Sequence, residues 1–65
     1  MARRYMRLVY DEIRAQTERA TLFVFDDRAI WIPQSVSGIP DLDEKTITVQ
    51  EWFVMHEGLE VYEVE

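Results

Sequence analysis

Residues 20 to 32, ATLFVFDDRAIWI, predict a β-hairpin from which the rest of the fold can be built. The segments 20–26 and 29–32 are rich in aromatic and β-branched residues, and the polar pair at 27–28 separates them. Pro33 ends the second strand, because it has no N–H group to donate and it holds the preceding residue extended. Apolar residues occupy consecutive positions, so both faces of this hairpin are apolar.

The two faces of the hairpin carry different aromatic residues. Phe23 and Phe25 point away from Leu22 and Val24, and Trp31 points away from its own neighbours in the second strand. One face is expected to form the core, whereas the other needs a helix, a barrel wall or another molecule to cover it. Because one short helix cannot cover both faces, Trp31, Phe23 and Phe25 are candidate partner-binding residues.

The N-terminal segment is compatible with two structures. As a helix, it carries an apolar stripe at helical spacing. As a strand, it needs a bulge or a bend near 11–12, because Met6, Leu8 and Tyr10 lie on one face whereas Ile13 falls on the opposite face. We favour the bent strand, since a short turn then leads into the hairpin and the three segments form an antiparallel meander.

A helix over about 49–57 is predicted from the residues at its two ends. Thr48 and Glu51 have the spacing of a capping box, with Ile47 and Trp52 placed as a hydrophobic staple. Gly58 follows at the position where a left-handed residue commonly ends a helix.

The helix must pack through an apolar face, because it is too short to be stable alone. Trp52 is the expected centre of that face, which also includes Val49, Phe53, Met55 and Leu59. Residues 34–44 are predicted to form a loop, and residues 59–64 an edge strand carrying acidic residues.

These elements predict one α+β domain over residues 1–65. We expect a small antiparallel β-meander or partly closed barrel of three to five strands with one short helix. Cysteine is absent, which fits a cytoplasmic protein, and no apolar run approaches the roughly 20 residues that a membrane span needs. The sequence thus predicts a soluble domain without membrane association.

The net charge of −6 is concentrated in the second half of the chain. Residues 1–28 carry six arginines and five acids, whereas residues 29–65 carry one lysine and eight acids. Such a field repels a phosphate backbone, so direct nucleic-acid binding is disfavoured. The acids either keep the domain soluble or dock on a basic protein, and Asp41, Asp43 and Glu44 are candidates for the second role.

The sequence contains no arrangement typical of an enzyme. The single histidine, His56, would need a nucleophile within reach, and Ser35 and Ser37 lie in a loop; a solvent-facing position at the end of the helix is favoured. The acids at 41–44 lack the glycine and the spaced glutamate of a calcium loop. We therefore predict no catalysis, no metal site and no cofactor.

The order of TERATLFVF, IWIPQS and ITVQEWFVMHEGL resembles small phage and prophage proteins of unknown function. In these a Trp-x-Pro-x-Ser segment follows a hairpin, and a Glu-Trp helix ends in Gly-Leu. The resemblance covers roughly residues 16–59, and the chain departs from the pattern at Gln34 and Gln50. It implies a phage-like origin, hence the cytoplasm of a host cell, and anti-CRISPR and other anti-defence inhibitors are similar in size and charge.

Three hypotheses follow for the function. The first is an acidic interaction module, a phage-encoded inhibitor that docks on a basic surface of a host nucleic-acid-handling complex. The second is a small nucleic-acid-binding barrel, with aromatic stacking residues and a phosphate patch at Arg3, Arg4 and Arg7. The third is a structural homo-oligomer, in which a second copy covers the remaining face of the hairpin.

Overall fold

The structure, a computed structural model, describes residues 4–64. Arg3, one of the arginines considered for phosphate binding, lies outside the described residues. The elements in chain order are β1 (Tyr5–Val9), β2 (Glu12–Gln16), β3 (Ala20–Phe25), β4 (Arg28–Pro33), a 3₁₀ turn (Gln34–Val36), β5 (Thr46–Gln50), α1 (Glu51–Glu57) and a second 3₁₀ turn (Glu60–Tyr62).

The strands form two antiparallel sheets, and they do not close into a barrel. One sheet has the order β2-β3-β4, and the other consists of β1 and β5. The α+β class is confirmed, as is the meander of three consecutive strands. The expected partly closed barrel is wrong, because the chain leaves the meander after β4 and β5 returns to pair with β1.

The N-terminal segment is a bent strand, and the helical alternative is wrong. The chain changes sheets between Tyr10 and Asp11: the Tyr10 amide donates to the carbonyl of Lys45, and the Asp11 amide to that of Val24. Two consecutive amides therefore bond to different sheets, which produces the bend. A bulge lies slightly further on, where the β2–β3 register shifts between Ile13 and Ala15.

The hairpin is confirmed, with its turn one residue earlier than predicted. The turn residues are Asp26 and Asp27, since Arg28 already pairs with Phe25. Asp26 has φ 55°, in the left-handed region that aspartate tolerates better than most residues. Composition alone did not show which polar residues make the turn.

The core lies between the two sheets, with the helix packed on the β1–β5 pair. Phe23 is within 4.8 Å of Tyr10, and Phe25 stacks on Tyr62 at 5.0 Å, measured between ring centroids. The fully buried side chains are Leu8, Phe23, Phe25, Ile32, Ile47, Val49, Val54 and Leu59.

The helix begins later than the capping-box pattern predicted. Thr48 lies in β5, where it pairs with Arg7, and Gln50 precedes the helix without a capping side chain. The amide of Glu51 donates to the carbonyl of Arg4 at 2.9 Å. Pairing with β1 has therefore replaced the cap, and Val49 and Val54, both fully buried, take the staple positions instead of Ile47 and Trp52.

The predicted docking face of the helix is right for Val49, Phe53 and Leu59, which are buried, and wrong for Trp52 and Met55. Phe53 and Val54 are buried, whereas Trp52 and Met55 are exposed by 58% and 55%. The helix therefore packs on the β1–β5 pair with Phe53 and Val54 buried. Trp52 instead donates its indole N–H to the side-chain oxygen of Gln50 at 2.8 Å.

The end of the helix follows the prediction, but the residues after it do not. Gly58 has φ 70°, and the amide of Leu59 donates to the carbonyl of Val54, as in a Schellman motif. The predicted strand over 59–64 is a 3₁₀ turn followed by a single bridge between Glu63 and Leu8. Within residues 4–64, no helix has the length and apolarity needed to cross a bilayer.

Candidate interaction surface

One face of the three-stranded sheet is largely apolar and has no helix or strand packed on it, with Glu12 opposite Val24 at its edge. The register places Trp31 directly opposite Leu22, and Ala29 opposite Val24. None of these four residues belongs to the main core cluster, although Val24 is buried at 7% exposure, whereas Ile30 packs against the cluster. We call this surface the outer face, and it consists of Ala15, Leu22, Val24, Ala29 and Trp31.

Trp31 dominates the outer face. Its side chain is 47% exposed, although it lies in the middle of a strand beside an apolar neighbour. A half-exposed tryptophan on a rigid strand offers a large contact area at low conformational cost. The outer face is therefore the uncovered side of the hairpin that the sequence predicted.

Phe23 and Phe25 lie on the opposite side of the same strand. Each is only 1% exposed, and both belong to the core between the two sheets. Of the three aromatic candidates, Trp31 alone is placed where another molecule can reach it.

The candidate acids Asp41, Asp43 and Glu44 lie together in one tight loop. The Asp41 carboxylate accepts the amides of Asp43 and Glu44, each at 3.0 Å, and the loop is closed by main-chain bonds between Asp41 and Thr46. Asp41 is thus a structural residue of the turn. Asp43 and Glu44 are exposed, and their carboxylates have no hydrogen bond or ion pair within residues 4–64.

A second group of acids lies at the same end of the molecule. Asp11 accepts the amide of Asp26 at 2.7 Å, which fixes the hairpin turn. Asp26 and Asp27 are exposed at its tip. Lys45 joins the two groups, because its ammonium donates to the main-chain carbonyl of Asp11 at 3.2 Å.

We call this region the acidic end of the molecule. Two of its members, Asp11 and Asp41, hold turns together, so four carboxylates are free to meet a partner. Burial, and to a lesser degree the charge of Asp41, raises the pKa of Tyr10, which lies beneath the loop. The acidic end consists of Asp11, Asp26, Asp27, Asp41, Asp43 and Glu44.

Sequence reasoning missed Asp11, Asp26 and Asp27. They belong to the half of the chain with balanced charge, and only the fold brings them to the loop that contains Asp41. The aspartate pair between two apolar strands was the available signal, because aspartate is common in turns and tolerates the left-handed conformation.

The remaining surface features are a small cleft and the exposed His56. Among the described residues, no group of three or more histidine, cysteine or acidic side chains is placed to hold a metal ion. A cleft of about 300 Å³ lies beside the loop after β4, between Phe23 and Ile47, with Gln16 and Gln34 at its rim. His56 is exposed, and its nearest charged neighbour is Glu57 at 3.9 Å.

No protein-family model, curated protein or solved structure matches this chain. The functional proposal therefore depends on the geometry of its own residues. The two features that stand out are the uncovered outer face and the free carboxylates of the acidic end. They meet at the hairpin, since β3 and β4 carry the outer face and their connecting turn carries Asp26 and Asp27.

Proposed function

We propose that this chain is an acidic interaction module that docks on a basic surface of a partner protein. The observation that carries the proposal is the half-exposed Trp31 on an apolar sheet face that no described element covers. Trp52 is exposed as well, but its indole N–H is hydrogen-bonded to the side chain of Gln50, whereas Trp31 adjoins Leu22 in a contiguous apolar patch, and such patches commonly mark binding sites.

Trp31 supplies the affinity in this proposal. Tryptophan is enriched among the few interface residues that contribute most of the binding energy, and these lie in desolvated centres surrounded by weaker contacts. Leu22 and Val24 form an apolar floor beside it. A partner pocket that accepts Trp31 would therefore also cover the rest of the outer face.

The acidic end supplies orientation and partner choice. Complementary charge accelerates encounter and excludes partners of the same sign. Free carboxylates at Asp26, Asp27, Asp43 and Glu44 suit a groove lined by lysine and arginine. We infer that the partner handles nucleic acid, because such a groove normally binds phosphates; the resemblance to phage proteins adds a host defence complex as the partner class.

The nucleic-acid-binding alternative has less support. Its stacking residues Phe23 and Phe25 are buried, and Arg4 lies 3.8 Å from the carboxylate of Glu51. The net charge of −6 also opposes binding to a phosphate backbone. Of its three stacking residues, only Trp31 remains exposed.

The test is affinity capture from a bacterial lysate with matched tryptophan variants. Trp31→Ala should lose the captured protein, whereas Trp52→Ala, which removes an even more exposed tryptophan from the helix, should retain it. Asp26→Asn with Asp27→Asn should weaken capture, most strongly at low salt. The captured protein should also be released by added DNA or RNA, which would compete for the same groove.

Two results would contradict the proposal. One is capture of the same proteins by the wild type and by Trp31→Ala, which would show that the outer face does not bind them. The other is a gel shift of single-stranded DNA or RNA by the purified chain at moderate salt, which would favour the nucleic-acid-binding alternative.

A further inference from the structure

The main chain of β4 has an open side, and the ladder with β3 determines which residues form it. The amide of Gln34 donates to the carbonyl of Arg19 at 2.7 Å. In an antiparallel pair, every second residue turns its N–H and C=O toward the neighbouring strand. Counting back from Gln34, Ile32 and Ile30 therefore bond to β3, opposite Thr21 and Phe23.

Ala29 and Trp31, the residues in between, turn their N–H and C=O groups away from the sheet. Within residues 4–64, no other main-chain group bonds to them, and β4 has no neighbour on this side. Pro33 ends this open edge, because it has no N–H group. The edge thus offers two donors and two acceptors in a fixed spacing.

The other sheet edges of the molecule are not open in this way. The β1 edge accepts the amide of Val64 at the Arg7 carbonyl, and the β5 edge accepts the amide of Gly38 at the Thr48 carbonyl. The β2 edge is interrupted by the bulge after Ile13. Bulges of this kind protect an edge strand from pairing with another chain. Among the described strands, β4 is therefore the edge that is both regular and unpaired.

We propose that two copies of the chain associate through β4 in antiparallel orientation, joining their three-stranded sheets into one sheet of six strands. Ala29 of each copy then lies opposite Trp31 of the other, and each of these two symmetric pairs exchanges two hydrogen bonds. This inference goes beyond the proposed function, because it concerns the chain without any partner.

Charge favours the antiparallel arrangement. It places Asp26 and Asp27 of one copy beside the Pro33 end of the other copy, where Arg19 lies exposed next to Gln34. A parallel arrangement would instead bring the two acidic ends together. The antiparallel pair therefore gains two acid–arginine contacts and separates the regions of highest negative charge.

The side chains also fit. Trp31 of one copy lies over the small Ala29 of the other, and the two tryptophans are diagonal neighbours about 7–8 Å apart, within reach of aromatic rings. The two outer faces become one continuous apolar surface. The edge is short, so we expect weak association that is populated at high protein concentration.

The experiment is light scattering of the purified full chain over a dilution series up to about 1 mM, together with amide hydrogen exchange. The wild type should approach twice 7.8 kDa at the highest concentration and return to 7.8 kDa on dilution. Ala29→Pro removes an outward N–H group and fixes φ at about −65°, changes that an edge strand tolerates, so it should fold and stay monomeric. Arg19→Glu should weaken the dimer about tenfold, whereas the same charge reversal in Arg14→Glu, on β2, should not.

A wild type that stays at 7.8 kDa at about 1 mM would overturn the inference, as would a folded Ala29→Pro that still dimerises. Should Ala29→Pro fail to fold, hydrogen exchange in the wild type decides: the Trp31 amide must exchange more slowly at high concentration than at low. Arg19 lies outside the outer face and the acidic end, so partner capture by an Arg19→Glu variant that no longer dimerises would leave the proposed function intact, and the two proposals can fail separately.

Discussion

The phenolic hydroxyl of Tyr10 donates a hydrogen bond of 3.3 Å to the main-chain carbonyl of Asp41, 31 positions further along the chain. This contact joins the point where the chain changes sheets to the loop of the acidic end. Its ring also lies against Phe23 in the core. Tyr10 therefore couples the packing of the core to the placement of Asp43 and Glu44.

Tyr10→Phe should make the folded protein less sensitive to alkaline pH. Burial raises the pKa of Tyr10 above its ordinary value near 10, so the folded chain holds the phenolic proton more tightly than the unfolded chain does. That stabilisation is complete below pH 10 and is lost as the pH rises through the folded-state pKa. Urea unfolding should show a fall in stability above about pH 10 that is smaller in Tyr10→Phe.

At neutral pH the same variant should lose about 0.5–1 kcal/mol, because one hydrogen bond is removed while the ring remains. An identical decline above pH 10 in both proteins would show that Tyr10 does not titrate differently in the two states.

Gly58→Ala should destabilise the protein by about 1–2 kcal/mol. Gly58 has φ 70°, where a side chain costs roughly that amount. The added Cβ would meet nothing closer than the Arg28 guanidinium at 4.0 Å, so backbone strain is the only penalty. Gly38→Ala is the matched control: its Cβ also has 4.0 Å of clearance and its φ is not positive, so its melting temperature should stay near that of the wild type.

Thr48→Val distinguishes the observed strand from the predicted capping box. A cap at Thr48 would contribute about 1 kcal/mol through its hydroxyl, and valine would remove it. In β5 the Thr48 side chain is exposed and its hydroxyl makes no hydrogen bond within residues 4–64, so a β-branched replacement should be neutral or slightly stabilising. A loss near 1 kcal/mol in thermal unfolding would mean that the helix begins at Thr48 after all.

Local sequence signals predicted the parts of the fold that depend on local conformation. The hairpin and the glycine at the end of the helix are of this kind. Aromatic residues favour extended backbone, and Gly58 tolerates the left-handed conformation. The start of the helix was not predictable, because the capping box at Thr48 competes with a partner strand more than forty positions earlier. Only the register with Arg7 shows that pairing prevails.

The candidate surface was predictable in part for the same reason. An apolar hairpin with two apolar faces implied one uncovered side, but its sequence could not say whether Phe23 or Trp31 lay there. The contact that decides it is long-range: Tyr10 packs on Phe23. The two tryptophans are a second case, since Trp52 was expected in the core and lies on the surface.

Trp31→Ala should lower stability far less than Phe23→Ala. A fully buried aromatic side chain replaced by alanine costs about 3–5 kcal/mol, which is the value expected for Phe23. Trp31 is 47% exposed and outside the core cluster, so removing it should cost about 1–2 kcal/mol in urea unfolding. Equal losses would place Trp31 in the core and remove the outer face as a binding surface. With the smaller loss, the variant remains folded, and any loss of partner capture can then be assigned to the interface rather than to unfolding.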